Sequence, residues 1–444
     1  MRRNSINIEI SKWLVYLFLA VAFFYISRDV NHAKNGYNAS REDIAAAVAE
    51  GSPARRIAVL SLGIFAIFTL LRYRPVSGVR IRGFLGWMVV GFAGWAMLSP
   101  IWAEDRVQTL TRLFSFAILC LAAVAITRRF SLREIIVWTV FTSISYIGVG
   151  ILIEALSGSF HPWASGYRFG GAVHPNSQGI NCAVLVLSAI TAADIEKHKR
   201  MLFRICAGIG LVFLVLTASR TAFAASLVAL AVYAALVWSY RTKIAIAYGA
   251  SIVFCVFVLI LGGALLPDLK SAVNLGRVDA NEGSFNGRTG VWDEISDYVA
   301  QRPIAGYGFG GFWTPAHISE ISKEEKWGVP NSHSAYLDYL LALGAVGLTA
   351  YALILLAGIQ RALRLYKLSQ NSAYAFCGAL LVFCAAHGFL ESSATDPSAA
   401  MFVILVTLVY LAVRNESVMQ HYYPLPRGAV IHASRSQSAV SNMG

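Results

Sequence analysis

Long apolar runs recur along this chain, separated by short polar links, and one polar interval is much longer than the rest. About 20 consecutive apolar residues span a bilayer as a helix. Runs near 13–26, 57–71, 83–102, 110–126, 135–156, 178–193, 202–218, 221–239, 244–266, 334–359, 373–390 and 398–413 therefore read as spans. They predict an all-α polytopic membrane protein of about twelve transmembrane helices, with 1–413 as its membrane domain. The long polar interval covers 267–332, 66 residues between the ninth and tenth spans. Ser40 to Arg56 has the pattern of a short amphipathic helix. Residues 414–444 are polar and read as a disordered cytoplasmic tail.

Composition supports this reading. Residues are 57% hydrophobic and 14% charged, against about 25% charged in ordinary soluble domains. A net charge of +13 would suggest nucleic acid in a soluble chain. Here the short basic links, such as Arg128-Arg129, Arg241/Lys243 and Arg361/Arg364/Lys367, fall on one side of the membrane when the N-terminus is placed in the cytoplasm, as the positive-inside rule demands. Both termini are then cytoplasmic and no nucleic-acid partner is implied. The outer face receives 28–56, 157–177, the tight Ser219-Arg220 link, 267–332 and 391–397. Met1-Arg2-Arg3 precedes an apolar run with no small-x-small cleavage site, which reads as an uncleaved first span. All six cysteines fall inside apolar runs, so neither a disulfide framework nor a cysteine metal site is indicated.

Few residues carry candidate chemistry. Arg220 stands between two apolar runs on the face that positive-inside disfavours, and an arginine at membrane depth marks a functional site by default. Arg288 opens a stretch in which Val291, Trp292, Ile295, Tyr298 and Val299 share one helical face, the pattern of a helix lying on the membrane surface. At such a helix start it reads either as a phosphate ligand or as a solvated loop arginine. His333 follows Asn331-Ser332, either of which is suited to cap the next helix. That puts His333 in the first turn, at the positive end of the dipole, where imidazolium is disfavoured. It reads as a general base or as a polar residue ending a span. Between spans five and six, Arg168, His174 and Asn176 cluster polar groups. Arg112, Glu154, Asp338, His387 and Glu391 are further ionisable residues within or at the ends of spans, mostly near outer ends. His387 and Glu391, four apart, are spaced to pair on one helical face. Gly306 to Gly311 formally contains G-x-G-x-x-G, but no strand precedes it, so it reads as a flexible turn near the membrane surface rather than a dinucleotide site.

A proton-coupled transporter needs titratable groups through the midplane, and a flippase of this size usually shows internal repeats; neither is seen. No nucleotide or metal motif is present, so an enzyme acting outside the cytoplasm would take a substrate activated on a lipid carrier. Two arginines can hold a diphosphate leaving group while a histidine takes the proton of an attacking hydroxyl.

Ser219-Arg220-Thr221, Gly287-Arg288-Thr289-x-x-Trp292, Pro303-x-x-Gly306-x-Gly308, and His333-Ser334 followed after nine residues by Gly344-x-x-Gly347 resemble the O-antigen ligase and polymerase superfamily. The likeness is closest over about 157–360. It implies a GT-C-like glycosyltransferase of the bacterial inner membrane that acts at the periplasmic face without cofactor or metal. It also implies diphosphate binding by Arg220 and Arg288, His333 as catalytic base, and inversion at the anomeric carbon. Trp292, Tyr336 and Asp338 join Arg168, His174 and Asn176 as candidate substrate contacts. The implied partners are an undecaprenyl-diphosphate-linked oligosaccharide, a glycan or lipid A core acceptor, the bilayer, and a chain-length regulator or export partner. Ligase and polymerase both stay open, with a lean towards exopolysaccharide polymerases of the ExoQ type.

Overall fold

The computed structural model describes residues 2–27, 52–72, 81, 83–164, 166–240, 242, 288–325, 328–392 and 397–413. The predicted span at 244–266, most of the Ser40–Arg56 segment, the long loop up to Gly287 and the tail 414–444 lie outside them. Thirteen α-helices are described. In order they are α1 (Arg2–Ser27), α2 (Pro53–Arg72), α3 (Gly83–Leu98), α4 (Arg106–Arg129), α5 (Leu132–Ser157), α6 (Pro175–Ile195) and α7 (Arg200–Leu216). Then come α8 (Arg220–Val237), α9 (Arg288–Gln301), α10 (Pro315–Glu325), α11 (Ala335–Ser369), α12 (Ser372–Gly388) and α13 (Ala399–Val413). Every predicted span except 244–266 coincides with one of these helices. Seven are long and apolar enough to cross a membrane, while the Lys12–Ser27 part of α1, α12 and α13 are shorter apolar helices. The protein is a multi-pass helical membrane protein.

Local sequence sets the helix ends. Asp105 caps α4 by accepting from Gln108 N at 2.9 Å. Ser131 and Glu134 form a capping box at α5, each satisfying an orphan donor of the other's backbone. Gly158 (φ 68°) then ends α5 in the left-handed conformation. Helix α6 is the hub. Its apolar window is 83% buried, against 28% for α8, and it packs on α5, α7, α8 and α12. An all-round apolar helix belongs in the middle of a bundle; a helix exposing one side there faces lipid.

The segment predicted as a flexible turn has a defined place. Helix α11 is broken at Gly344 (φ 67°, ψ −166°), and a Cβ there would lie 2.0 Å from Ile304 O. Only glycine admits both that conformation and that approach. The Pro303–Gly308 turn plugs the break: Tyr307 N and Gly308 N donate to Leu341 O and Ala342 O at 2.8 and 2.9 Å, and Ala345 N donates to Pro303 O at 2.8 Å. Trp95 Nε1 donates to Leu343 O at 3.0 Å and Trp102 Nε1 to Ala305 O at 2.9 Å. A broken helix at membrane depth must have its freed carbonyls satisfied this way.

Helix α9 corrects the expectation of a helix lying on the membrane. Its apolar residues Val291 and Ile295 are buried in a small core with Tyr307, Phe312, Ile321, Val329 and Leu341. The chain that follows α9, not lipid, covers its apolar face.

Candidate active site

Three helix starts, those of α6, α9 and α11, meet the chain just after α12. Glu391 does not share a helical face with His387, because α12 ends at Gly388. Its carboxylate turns instead to residues distant in sequence. Arg288 Nη2 at the start of α9 reaches Glu391 Oε1 at 2.7 Å, and Asn176 Nδ2 in the first turn of α6 donates to the same oxygen at 2.8 Å. Oε2 lies 3.7 Å from His333 Nδ1, ion-pair distance but longer than a hydrogen bond. The first amide of α11, Ala335 N, donates to Glu391 O at 3.2 Å. The side chains of Arg288 and Glu391 are 11% and 10% exposed. Burial by itself raises the Glu391 carboxyl, but His333, Arg288 and His387 around it outweigh this and hold it down to about 2.

A further arginine extends the network. Arg168 Nη2 donates to Asn176 Oδ1 at 2.6 Å, and its Nε donates to Thr217 O at 3.0 Å. It thereby ties the start of α6 to the turn before α8, where Ala218 has φ 49° and Arg220, half-buried, is the first helical residue. Glu154 anchors the segment carrying Arg168. Its Oε1 accepts from Gly170 N and Gly171 N at 3.0 and 2.7 Å, and Tyr167 donates its hydroxyl to Oε2.

His333 is not in the first turn of α11, as the sequence suggested. The N-cap is Ser334, without a side-chain cap bond, and neither Ser332 nor Asn331 fills that role. His333 precedes the helix in the left-handed region (φ 53°), a strain of about 1–3 kcal/mol for a residue with a Cβ. The surrounding bonds hold it there. Asn331 Oδ1 accepts from His333 N at 3.1 Å, Trp292 Nε1 donates to Ser332 O at 2.8 Å, and Ser332 N donates to Asp338 Oδ1 at 3.2 Å. Trp313 Nε1 secures Asp338 at 3.0 Å. Trp292 and Asp338, expected as substrate contacts, thus shape the histidine turn. Tyr336 donates to Ala385 O at 2.9 Å and packs on Phe389, an inter-helix tie. His174 caps α6, its Nδ1 accepting from Asn176 N at 3.2 Å.

Sequence reasoning underrated Glu391. The available signal was an acid directly after an apolar run, in the short outer link 391–397. Among the described residues no group of three or more His, Cys, Asp or Glu is gathered as a metal site.

Arg288, the His333 ring and the first turns of α6 and α11 thus surround the buried carboxylate of Glu391, a setting in which arginine and positive dipole ends both favour negative charge. Residues 205–352 match the Wzy_C family, described as O-antigen ligase. The match holds Arg220, Arg288 and His333, and leaves Arg168, Asn176 and Glu391 outside. A comparison with curated proteins finds no match.

Proposed function

We propose that the protein is a glycosyltransferase of the bacterial inner membrane. It moves an oligosaccharide en bloc from undecaprenyl diphosphate to a hydroxyl of a growing surface glycan, at the periplasmic face. The observation that carries this reading is the meeting of Arg288 and His333, both inside the O-antigen ligase match, on the single buried carboxylate of Glu391.

The chemistry follows from that geometry. Arg288 and Arg220, at two helix starts, bind the donor diphosphate and stabilise the charge it gains as a leaving group. His333 takes the proton of the acceptor hydroxyl. The hydroxyl oxygen forms a bond to the anomeric carbon as the carbon–oxygen bond to the diphosphate breaks, inverting that centre. Undecaprenyl diphosphate leaves as the anion, and His333 returns its proton to water. Glu391 aligns the imidazole and supports its positive charge in the transition state.

The test is a deletion strain complemented with wild type or His333→Ala, with surface glycans sized and lipid-linked intermediates analysed. Single repeat units left on carrier or core, with long chains lost, identify a polymerase. Long chains stranded on undecaprenyl diphosphate, absent from lipid A core, identify a ligase. Full rescue by His333→Ala removes the base and returns the chain to a transporter or flippase reading.

A further inference from the structure

The two cations proposed to share the donor diphosphate belong to separate parts of the molecule. Arg288 stands with Glu391, His333 and Asn176, whereas Arg220 opens α8 after the turn at 217–219. Arg168 bonds to both parts. Its Nη2 donates to Asn176 Oδ1 at 2.6 Å, and Asn176 Nδ2 passes the contact on to Glu391 Oε1 at 2.8 Å. Its Nε donates at 3.0 Å to the carbonyl of Thr217, the C-cap of α7. A cation there satisfies an orphan carbonyl and meets the negative end of the helix dipole. Beside it, Phe169 N donates to Leu216 O at 2.8 Å. The turn so held is strained: Ala218 has φ 49°, which a residue with a Cβ keeps only where its surroundings impose it.

We propose that Arg168 is a positioning residue, a yoke that sets the separation between Arg220 and the Arg288–Glu391–His333 group so that one diphosphate reaches both cations. This rests on the glycosyl-transfer reading and deepens it, because the yoke is what makes the site select a diphosphate over a monophosphate. Arginine suits the task. Its planar fork presents Nε and Nη2 in a fixed relation, whereas lysine carries the same charge as a point on a flexible stem. The segment bearing Arg168 is itself fastened to α5 and α7. Glu154 accepts from Gly170 N, Gly171 N and the Tyr167 hydroxyl. Phe169 is fully buried and packs edge-on against Phe213, with ring centroids 4.7 Å apart. A Cβ on Gly171 would lie 2.5 Å from Gly150 Cα, so the segment lies directly on α5. The starts of α6 and α8 also touch, since a Cβ on Gly179 would lie 2.7 Å from Ser219 Cβ. A shift of either arm of the fork therefore reaches the other helix start.

The experiment uses the full-length protein in phospholipid nanodiscs. Undecaprenyl diphosphate and undecaprenyl monophosphate are the binding probes, and lipid-linked oligosaccharide transfer is the turnover readout. Wild type should prefer the diphosphate. Arg168→Lys should bind the diphosphate about tenfold more weakly, because the two cations no longer engage it together, while monophosphate binding stays within about twofold. Its kcat should fall by about 10²-fold, the loss that a misplacement of about 1 Å brings. Arg168→Gln should match Arg168→Lys, since the fork and not the charge is what the yoke uses. Glu154→Ala loosens the 167–171 segment without touching the fork, and should give the same pattern more weakly. Thermal melting reports folding; if the Arg168 variants do not fold, Glu154→Ala decides. An unchanged preference for the diphosphate in folded Arg168→Lys overturns the yoke, as does an equal loss for both lipids, the mark of general damage. Lysine that restores the binding lost in Arg168→Gln also overturns it, by making Arg168 a direct phosphate ligand. A wild type with no preference for the diphosphate removes the shared-diphosphate premise and the yoke with it. If wild type prefers the diphosphate but transfers no glycan, the transferase reading falls, and the binding arms still judge the yoke.

Discussion

Among the described residues two arginine–glutamate–histidine groups stand out, and they differ in how far water reaches their glutamate. In the first, Arg288, Glu391 and His333 have side chains 11%, 10% and 20% exposed. In the second, Arg302 Nη2 lies 3.8 Å and His317 Nε2 3.6 Å from Glu104, whose side chain is 44% exposed. His317 is committed to its surroundings: its Nδ1 lies 2.7 Å from Phe312 O and its ring stacks on Phe312 at 4.6 Å. Arg302 also packs over Tyr307 and donates to Trp102 O at 3.2 Å. The same three residue types therefore fasten the Pro303–Gly308 plug in one place and form a charged centre in the other. What separates them is solvent. Water screens the exposed group, while the buried one must balance its own charges and so remains sensitive to an arriving anion.

The sharpest way to break this contrast is in turnover. His333→Ala should lower glycan transfer by about 10²–10⁴-fold with protein level unchanged, while His317→Ala should leave transfer detectable in proportion to the folded protein present. Equal losses per folded molecule would end the distinction. Next comes stability. Arg288→Ala strands a buried carboxylate and should cost about 3–5 kcal/mol, whereas the apolar pair Arg288→Met with Glu391→Leu should recover most of it while remaining inactive. Denaturant unfolding in detergent measures both. Gly344→Ala tests the plug that the second group fastens. A positive φ and a Cβ 2.0 Å from Ile304 O predict a loss of at least about 1–3 kcal/mol, read as a lowered melting temperature. At the small end, Arg302→Ala should cost less than about 1 kcal/mol in its exposed ion pair, with any larger loss assigned to its packing on Tyr307.

Acid sharpens the comparison from another side. The Glu391 carboxyl is lowered from 4.5 to about 2 in the folded state. A depressed folded value means that its stabilisation is complete above about 4.5 and fades as pH falls towards 2. The difference in unfolding free energy between wild type and Glu391→Gln should be flat from about pH 7 to pH 5 and shrink below that. A difference that falls away around neutrality would contradict the pairing.

The helices were legible because a bilayer imposes length and hydropathy on sequence directly; most start and stop near the predicted limits, while α1 begins earlier, at Arg2, and α11 runs on to Ser369. His333, Arg288, Arg168 and Asn176, which the structure connects around Glu391, stand out in the sequence because polar groups beside spans are scarce and costly. The expected capping by Ser332 or Asn331 was not borne out, since a capping preference is local while the histidine turn is fixed by Trp292, Asp338 and Trp313 from elsewhere in the chain. Nor did the face of α9 reveal its cover: an apolar stripe reads the same against lipid as against protein.

The sequence by itself determined that this chain is helical, multi-pass and furnished with a few cations beside its apolar runs, because those properties are written in local composition and period. Tertiary structure alone decided that Glu391 is the meeting point of Arg288, Asn176 and His333, that Gly344 breaks a helix to receive the Pro303–Gly308 turn, and that one of two similar charged groups is buried. Those are long-range facts. They depend on which helix ends pack together, and pairing across more than two hundred residues leaves no periodic trace in the chain.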